Sequence, residues 1–369
     1  MKTENEKPIL CLPISKETFV PALLDFFRQH ARSLPWRKTG DPYKIWISEV
    51  MLQQTRVETV IPYYERFLSK LPDLVHLAEV DEDRLLKLWE GLGYYSRARN
   101  LKKTAKEILA TGRMTMPASY RDLVALHGIG PYTAGAIASI AYGEPVPAVD
   151  GNVLRVVARL TGYGFNILEP SFKRAVEAFL RPFIPDDGTA GTFNQALIEL
   201  GALVCTPGTG SRCGAPKCEQ CPLSAYCASF RDGTAQVLPV RINPSKRTEQ
   251  KKTVLLLQYG DMICLRKRSD AGLLAGLFEF PTLDGWYEGE EIAEVLREAG
   301  LSPLGKEPLP PAKHVFTHMD WLMKGWRIKL ADSTVLPAAP TGQDLFAVPV
   351  KSLEQYALPS AFSAYRKLL

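Results

Sequence analysis

No apolar run in the 369 residues approaches the length of a membrane span, so no helical membrane anchor is expected. Met1 to Pro8 is charged and lacks the apolar centre of a secretion signal, and the expected compartment is the cytosol. Excess charge of one sign is scarce. A net charge of +5 permits a basic nucleic-acid-binding face without arguing for one. No internal repeat or low-complexity segment stands out, so a repeat architecture is not expected. Cysteine is sparse at seven, yet four fall between Cys213 and Cys227. In a cytosolic protein that clustering reads as metal ligation rather than disulfides.

The rest of the composition is ordinary, with 46% apolar and 23% charged residues, and the length favours two domains. Residues 17 to about 205 read as consecutive helices. Ile47, Val50, Met51, Val57, Val60, Ile61 and Tyr64 form a 3.6-residue stripe that Pro62 should break or kink. Leu85 to Trp89 predicts a helix stopped at Gly91-Leu92-Gly93. Further helical runs lie at 101–109, 118–126, 133–141, 153–160, 172–180 and 193–204. From Arg231 to Lys252 there are six basic residues, two acidic ones and two prolines, which reads as a linker. Beyond it, 253–258 and 262–268 predict paired strands across a Gly260-Asp261 turn. A helix is expected at 290–299, with strands at 321–331 and 345–350. The domains are therefore 1–230, mainly helical, a linker at 231–252, and a smaller α/β domain at 253–369.

Leu126-His127-Gly128-Ile129-Gly130-Pro131-Tyr132 lies between an apolar run and an Ala-rich helical run. It describes a tight hairpin joining two helices. Gly128 and Gly130 have no Cβ, so another backbone can approach and the hairpin amides should stay bare. Bare amides at a helix start attract anions, and a phosphate backbone is the expected extended polyanion. Asp150 then precedes Gly151-Asn152-Val153, an ordinary helix N-cap position. A DNA-gripping hairpin with a carboxylate nearby points to chemistry on a nucleotide.

Cys218-x2-Cys221-x5-Cys227, with Cys205 ending the preceding helix, offers four thiolates. They suit tetrahedral zinc or an iron–sulfur cluster, and the single Cys-x2-Cys pair leans toward [4Fe–4S]. Leu197 to Pro207 with the closing cysteines resembles the cluster loop of the endonuclease III and MutY-type DNA glycosylases. In that family six residues separate the first two ligands. Here twelve lie between Cys205 and Cys218, with Cys213 among them. The helix context favours Cys205 as the first ligand over Cys213. Cys11 and Cys264 read as small buried apolar residues.

Trp46-Ile-Ser-Glu49-Val-Met-Leu-Gln-Gln54-Thr55 resembles the MutY-type adenine glycosylases most closely. Read alone, Glu49 is a helix glutamate off the apolar stripe, facing a cleft or solvent. The resemblance implies that it protonates adenine N7, which asks for a carboxyl of raised pKa in a water-poor pocket. It implies that Asp150 is an anion, held ionised by the helix amides, that stabilises the oxocarbenium. Asn152 would orient water or sugar. Bifunctional relatives carry a lysine at the position of Tyr132 and form a Schiff base there. A phenol cannot, so base removal without strand cleavage is implied.

By the same resemblance Gln54 and Tyr94 wedge into the duplex when the base leaves the stack, and Arg32 and Trp36 line the adenine pocket. Gly272 to Pro281 resembles the start of a Nudix motif. The helix that follows has Arg297-Glu298 but no Glu-Glu pair, so a divalent ion would lack ligands and the hydrolase reading fails. The family's Phe-Ser-His loop for 8-oxoguanine corresponds to Phe316-Thr317-His318. The expected fold is a helix-hairpin-helix glycosylase domain with an iron–sulfur loop at 205–227, plus a Nudix-like domain. The expected activity is monofunctional excision of adenine opposite 8-oxoguanine or guanine in duplex DNA, by a nucleoid-associated monomer. A thymine-mismatch glycosylase of the same fold, or a non-catalytic cluster-bearing DNA-binding protein, is the alternative.

Overall fold

The computed structural model describes residues 10, 13–208, 214–242, 247–331, 336 and 344–369. The chain divides into two compact units, Met1–Glu79 with Asn100–Asn243, and Val80–Arg99 with Pro244–Leu369. Sequence reading placed 80–99 in the helical domain; the contacts group it with the second unit. Among the described residues, no helix is long and apolar enough to cross a membrane.

The helices run α1 (Lys16–His30), α2 (Pro42–Leu52), α3 (Val57–Lys70), α4 (Leu74–Glu79), α5 (Glu82–Trp89), α6 (Ser96–Ala110), α7 (Tyr120–Ala125), α8 (Pro131–Tyr142), α9 (Gly151–Leu160), α10 (Pro170–Leu180), α11 (Ala190–Leu203) and α12 (Ala228–Arg231). In α9, Val153, Val156, Val157 and Leu160 recur at helical spacing and are all buried. Three valines would lower helix propensity in isolation. Their burial against Phe19 and Leu23 of α1, Phe172 of α10, and Phe193, Leu197 and Leu200 of α11 overrides it. Each such side chain contributes about 1.5–3 kcal/mol of transfer free energy.

The stripe predicted over 47–64 is two helices. Gln54 takes a left-handed φ of 59°, and Thr55 N–H turns back onto Leu52 O at 3.3 Å. That turn ends α2, whereas Pro62 lies inside α3 without ending it. α2 is buried at Ile45 through Met51 without a gap, because α8 and α3 both pack on it.

The second unit carries β1 (Thr248–Tyr259), β2 (Met262–Lys267), β3 (Phe278–Glu279), β4 (Thr282–Asp284), α13 (Gly289–Glu298), β5 (Pro303–Val315), β6 (Met319–Leu330), β7 (Leu345–Pro349) and α14 (Ser363–Arg366). One mixed sheet has the order β3-β2-β1-β6-β5, with β4 on β1 and β7 on β2; β1 and β6 run parallel. Alternation along β1 splits its side chains between two faces. Val254 and Leu256 join Trp321, Phe346 and Phe362 on one face. Leu255 and Leu257 join Ile328 and the buried residues Ile292 and Leu296 of α13 on the other.

The predicted strands and helix of this unit form near their expected bounds, although β1 starts at Thr248, inside the expected linker. β5 was not predicted. Its prolines, Pro303, Pro308, Pro310 and Pro311, argue against a strand, and they are tolerated because β5 is the sheet edge and shifts register between Leu309 and Ala312.

Candidate active site

Glu49 sits on α2, and only 7% of its surface is exposed. The solvent-facing alternative is therefore overturned. The residue falls off the apolar stripe of α2, yet α2 has no solvated face at this point. The phenolic O–H of Tyr132, in the first turn of α8, donates to Glu49 Oε2. Burial pushes the Glu49 carboxyl up to about 7. Against that effect, the Tyr132 hydrogen bond and the Arg37 guanidinium favour the ionised form, whereas the Asp150 charge opposes it. Burial and the Glu49 and Asp150 charges also hold the Tyr132 phenol well above its ordinary range, so it stays a donor.

Asp150 caps α9 and accepts from Val153 N–H at 2.8 Å and Asn152 Nδ2 at 2.6 Å. These bonds favour the ionised carboxylate, as expected from the sequence. Burial is the larger effect, however, and its net direction is upward. The capping amides therefore limit the rise rather than depress the carboxyl. Arg155 extends the chain of bonds. Its Nη2 donates to Asn152 Oδ1 and Gly201 O, both at 2.8 Å, and its Nε donates to Cys205 O at 2.8 Å. Gly201 lets α11 approach this turn, since a Cβ there would lie 2.6 Å from Asn152 Cβ.

Arg32 is half-buried and Trp36 is buried, the latter edge-on to Tyr64 at 5.4 Å. Both Arg32 and Arg37 bond to Glu199 on α11, which is fully buried. The hairpin forms as expected between α7 and α8. Gly128 takes a φ of 74°, and a Cβ there would lie 2.9 Å from Asn100 Cβ. Gly130 caps α8 with open space where a Cβ would project. Not every hairpin amide is bare. His127 N–H is taken by Glu107 at 3.0 Å and Ile129 N–H by Leu126 O at 3.3 Å.

Cys205, Cys218, Cys221 and Cys227 line a common cavity with Arg159, Leu200, Val204, Pro216 and Phe230. Among the described residues, no three His, Cys, Asp or Glu side chains are grouped as for a single metal ion. Burial pushes Cys221 up to about 12 and raises Cys218 and Cys227 as well. Arg159, buried to 1% exposure, donates from Nη1 to Cys205 Sγ at 3.3 Å. A buried cation aimed at sulfur suits an anionic, thiolate-ligated group. Cys213 and Cys11 lie outside the described residues, and Cys264 is buried in the second unit, as expected.

In the second unit Tyr94 is 46% exposed and has a left-handed φ of 47°. Its hydroxyl bonds to the Thr317 hydroxyl. Arg97 lies 5.4 Å from the Trp89 ring centre and 5.5 Å from that of Tyr94, and it donates to Leu92 O and Gly93 O. Phe316 meets His314 at 4.6 Å and Trp321 at 5.1 Å, both edge-on, while Thr317 and His318 are exposed. Gln54, in the first unit, is also exposed. The two residues read as duplex wedges, Gln54 and Tyr94, are two of the three non-glycine residues with positive φ among the described residues. Backbone strain of this kind clusters at functional sites.

Sequence reading missed Glu199, Arg37, Arg155 and Gly201. The available signal was Glu199, a lone carboxylate in the apolar run from Phe193 to Val204. For Arg155 and Arg159 it was two arginines four apart on a valine-rich helix.

A model of the HhH-GPD superfamily base excision DNA repair proteins matches residues 47–182, and a NUDIX domain model matches 253–368. An adenine DNA glycosylase of Buchnera aphidicola subsp. Baizongia pistaciae is 39% identical over 267 residues, 71% of this chain and 73% of that protein. The Arabidopsis thaliana adenine DNA glycosylase is 35% identical over 354 residues, 80% of this chain but 55% of that protein, so the chain spans little more than half its length. A solved thermostable thymine-DNA glycosylase aligns with a TM-score of 0.52 at 27% identity, over 59% of this chain and 97% of its own. With a helix-hairpin-helix repair region followed by a Nudix domain, the chain belongs to the adenine DNA glycosylase family of base excision repair proteins.

Proposed function

We propose that the chain hydrolyses the N-glycosidic bond of adenine opposite 8-oxoguanine or guanine in duplex DNA, leaving an abasic site. The observation that carries this reading is the buried Glu49, bonded to Tyr132 and held near neutrality. A carboxyl titrating at about 7 is half protonated at physiological pH, as a general acid requires. In this reading Glu49 delivers its proton to adenine N7 as the glycosidic bond lengthens. Asp150, as carboxylate, stabilises the developing oxocarbenium, and Asn152 holds Asp150 and the incoming water. Water adds its hydroxyl to the sugar, its remaining proton restores the acid form of Glu49, and the base leaves neutral. Tyr132 offers no amine for an imine, which supports release of the base without strand cleavage.

Gly128 and Gly130 would grip phosphate, and Gln54 and Tyr94 would fill the gap left by the extruded base. Arg32 and Trp36 would line its pocket. Phe316, Thr317 and His318 would inspect the opposite 8-oxoguanine, with the Thr317 hydroxyl in the role of the family's serine.

Cys205, Cys218, Cys221 and Cys227 would hold a [4Fe–4S] cluster, whose bonds to four thiolates would cross-link the loop. The buried Arg159 and the cavity lined by all four cysteines support an anionic, thiolate-ligated group there. The enzyme is proposed to act as a monomer in the cytoplasm, on nucleoid DNA.

A duplex panel pairing A, T and U with G and 8-oxoguanine, scored after alkali, tests the substrate. Cleavage is expected at adenine, fastest opposite 8-oxoguanine. Preferred cleavage at thymine would favour the mismatch-thymine alternative, which the likeness to the thymine-DNA glycosylase keeps in view. No cleavage at all would favour a non-catalytic DNA-binding protein.

A further inference from the structure

The excision scheme leaves one fully buried carboxylate without a role. Glu199 projects from α11 with no exposed side-chain surface. Its Oε1 accepts from Arg32 N–H and Arg32 Nε, both at 2.9 Å, and from Arg37 Nη1 at 3.0 Å. Its Oε2 accepts from Arg32 Nη2 and Arg37 Nη2, both at 2.8 Å. Two guanidiniums therefore share one carboxylate, and one positive charge is left over. Arg37 is fixed further by donating to Arg32 O at 3.1 Å and by lying 5.0 Å from the Phe27 ring centre. Without the carboxylate, two adjacent cations would repel in a poorly solvated site.

The Pro35–Arg37 turn that carries Arg37 packs on α2, the helix of Glu49, and the Arg37 charge favours the ionised Glu49 carboxyl. The charged and titratable groups acting on Glu49 are Tyr132 from α8, Asp150 from the cap of α9, and Arg37 from the turn before α2. Arg37 is the cation of that set. Burial alone would raise Glu199, but the bonds from Arg32 and Arg37 hold it at about 2. It is therefore ionised throughout the working range.

We propose that Glu199 is a positioning residue: it holds Arg32 and Arg37 as a fixed fork beside Glu49 and cancels one of their two charges. This rests on the reading of Glu49 as the acid. Glu199 touches no reacting atom. It sets the charge that Glu49 feels and the orientation of Arg32, the arginine read as lining the base pocket.

The test is single-turnover adenine release against pH, with circular dichroism as a fold control. Release should fall on the alkaline side as Glu49 loses its proton. Glu199→Gln leaves two cations uncompensated, favours ionised Glu49, and should move that limb to lower pH by roughly one unit. Removing a cation as well, in Arg37→Met with Glu199→Gln, should return the limb close to its original position. A merely structural role would lower the rate without moving the limb. An unchanged limb in folded Glu199→Gln, or one moved to higher pH, overturns the proposal. If Glu199→Gln does not fold, Arg37→Met alone should move the limb to higher pH, and an unmoved limb there overturns it equally. Parent protein that releases no adenine, or Glu49→Gln as active as the parent, would instead overturn the underlying reading.

Discussion

Tyr132 donates its phenolic hydrogen to Glu49 Oε2 across 83 positions of sequence. The bond ties the first turn of α8, which the hairpin leads into, to the buried face of α2. It also acts on the chemistry, since a donor stabilises the ionised carboxylate and so opposes burial.

Tyr132→Phe removes that donor and keeps the ring. The Glu49 carboxyl should then rise above about 7, and the alkaline limb of adenine release should move to higher pH by about half to one unit. Rates measured from pH 5 to 9 check this. A limb displaced to lower pH would contradict the role assigned to the bond.

Glu49→Gln should abolish excision and yet stabilise the protein above neutrality. The folded carboxyl titrates at about 7, against an ordinary 4.5. Between those values the folded chain keeps a proton that the unfolded chain releases, so stability falls as pH rises through that window. Above it the full penalty applies, on the order of 3 kcal/mol. Glutamine does not titrate. Calorimetry should show a higher Tm for the variant at pH 8 and little difference at pH 4. An equal gain at both would place the effect in packing instead.

Asn152→Ala removes one of the bonds that limit the rise of Asp150. Asp150 is required as an anion, so the acid limb of the rate profile should move to higher pH. Arg155→Gln frees Asn152 Oδ1 and should move it the same way, by less. An unmoved acid limb in Asn152→Ala would mean that Asp150 is not the group titrating there.

Gly201→Ala forces a Cβ to within 2.6 Å of Asn152 Cβ. Overpacking at such a contact costs about 1–3 kcal/mol, and the displaced Asn152 should lower release beyond the loss of folded protein. Urea midpoints paired with single-turnover rates separate the two effects. Unchanged stability would mean that α11 and the first turn of α9 are less closely held than the geometry indicates.

Thr317→Ala deletes the hydroxyl shared with Tyr94. The preference for adenine opposite 8-oxoguanine over adenine opposite guanine should shrink by about 5- to 10-fold, the worth of one hydrogen bond. Thr317→Ser should retain it. Equal discrimination in both variants would remove Thr317 from lesion recognition.

The fold was legible wherever periodicity and punctuation agreed. The helical run, the Gly260-Asp261 hairpin and the hairpin at Gly128 all fall near their predicted places. β5 was not, because four prolines hide a strand that only an edge can tolerate. Nor was the grouping of 80–99 with the second unit, a long-range property with no local mark. At the site, the Cys-x2-Cys spacing marks candidate ligands by residue chemistry alone, and the structure brings Cys205, Cys218, Cys221 and Cys227 to one cavity. Glu49 did not reveal its burial, because the stripe of α2 describes one packed face and the structure packs the helix nearly all round. Asp150 was legible as a cap but not as a raised carboxyl, since desolvation is invisible in one dimension. Glu199 and Arg155 belong to no motif and gain meaning only from the partners the fold brings to them.

The most direct measurement is free adenine released from a duplex holding A opposite 8-oxoguanine, by the parent protein, Glu49→Gln and Asp150→Asn. The parent should release adenine and leave an alkali-labile site, and each variant should be slower by at least about 100-fold. Release by either variant at the parent rate would contradict the two-carboxylate account.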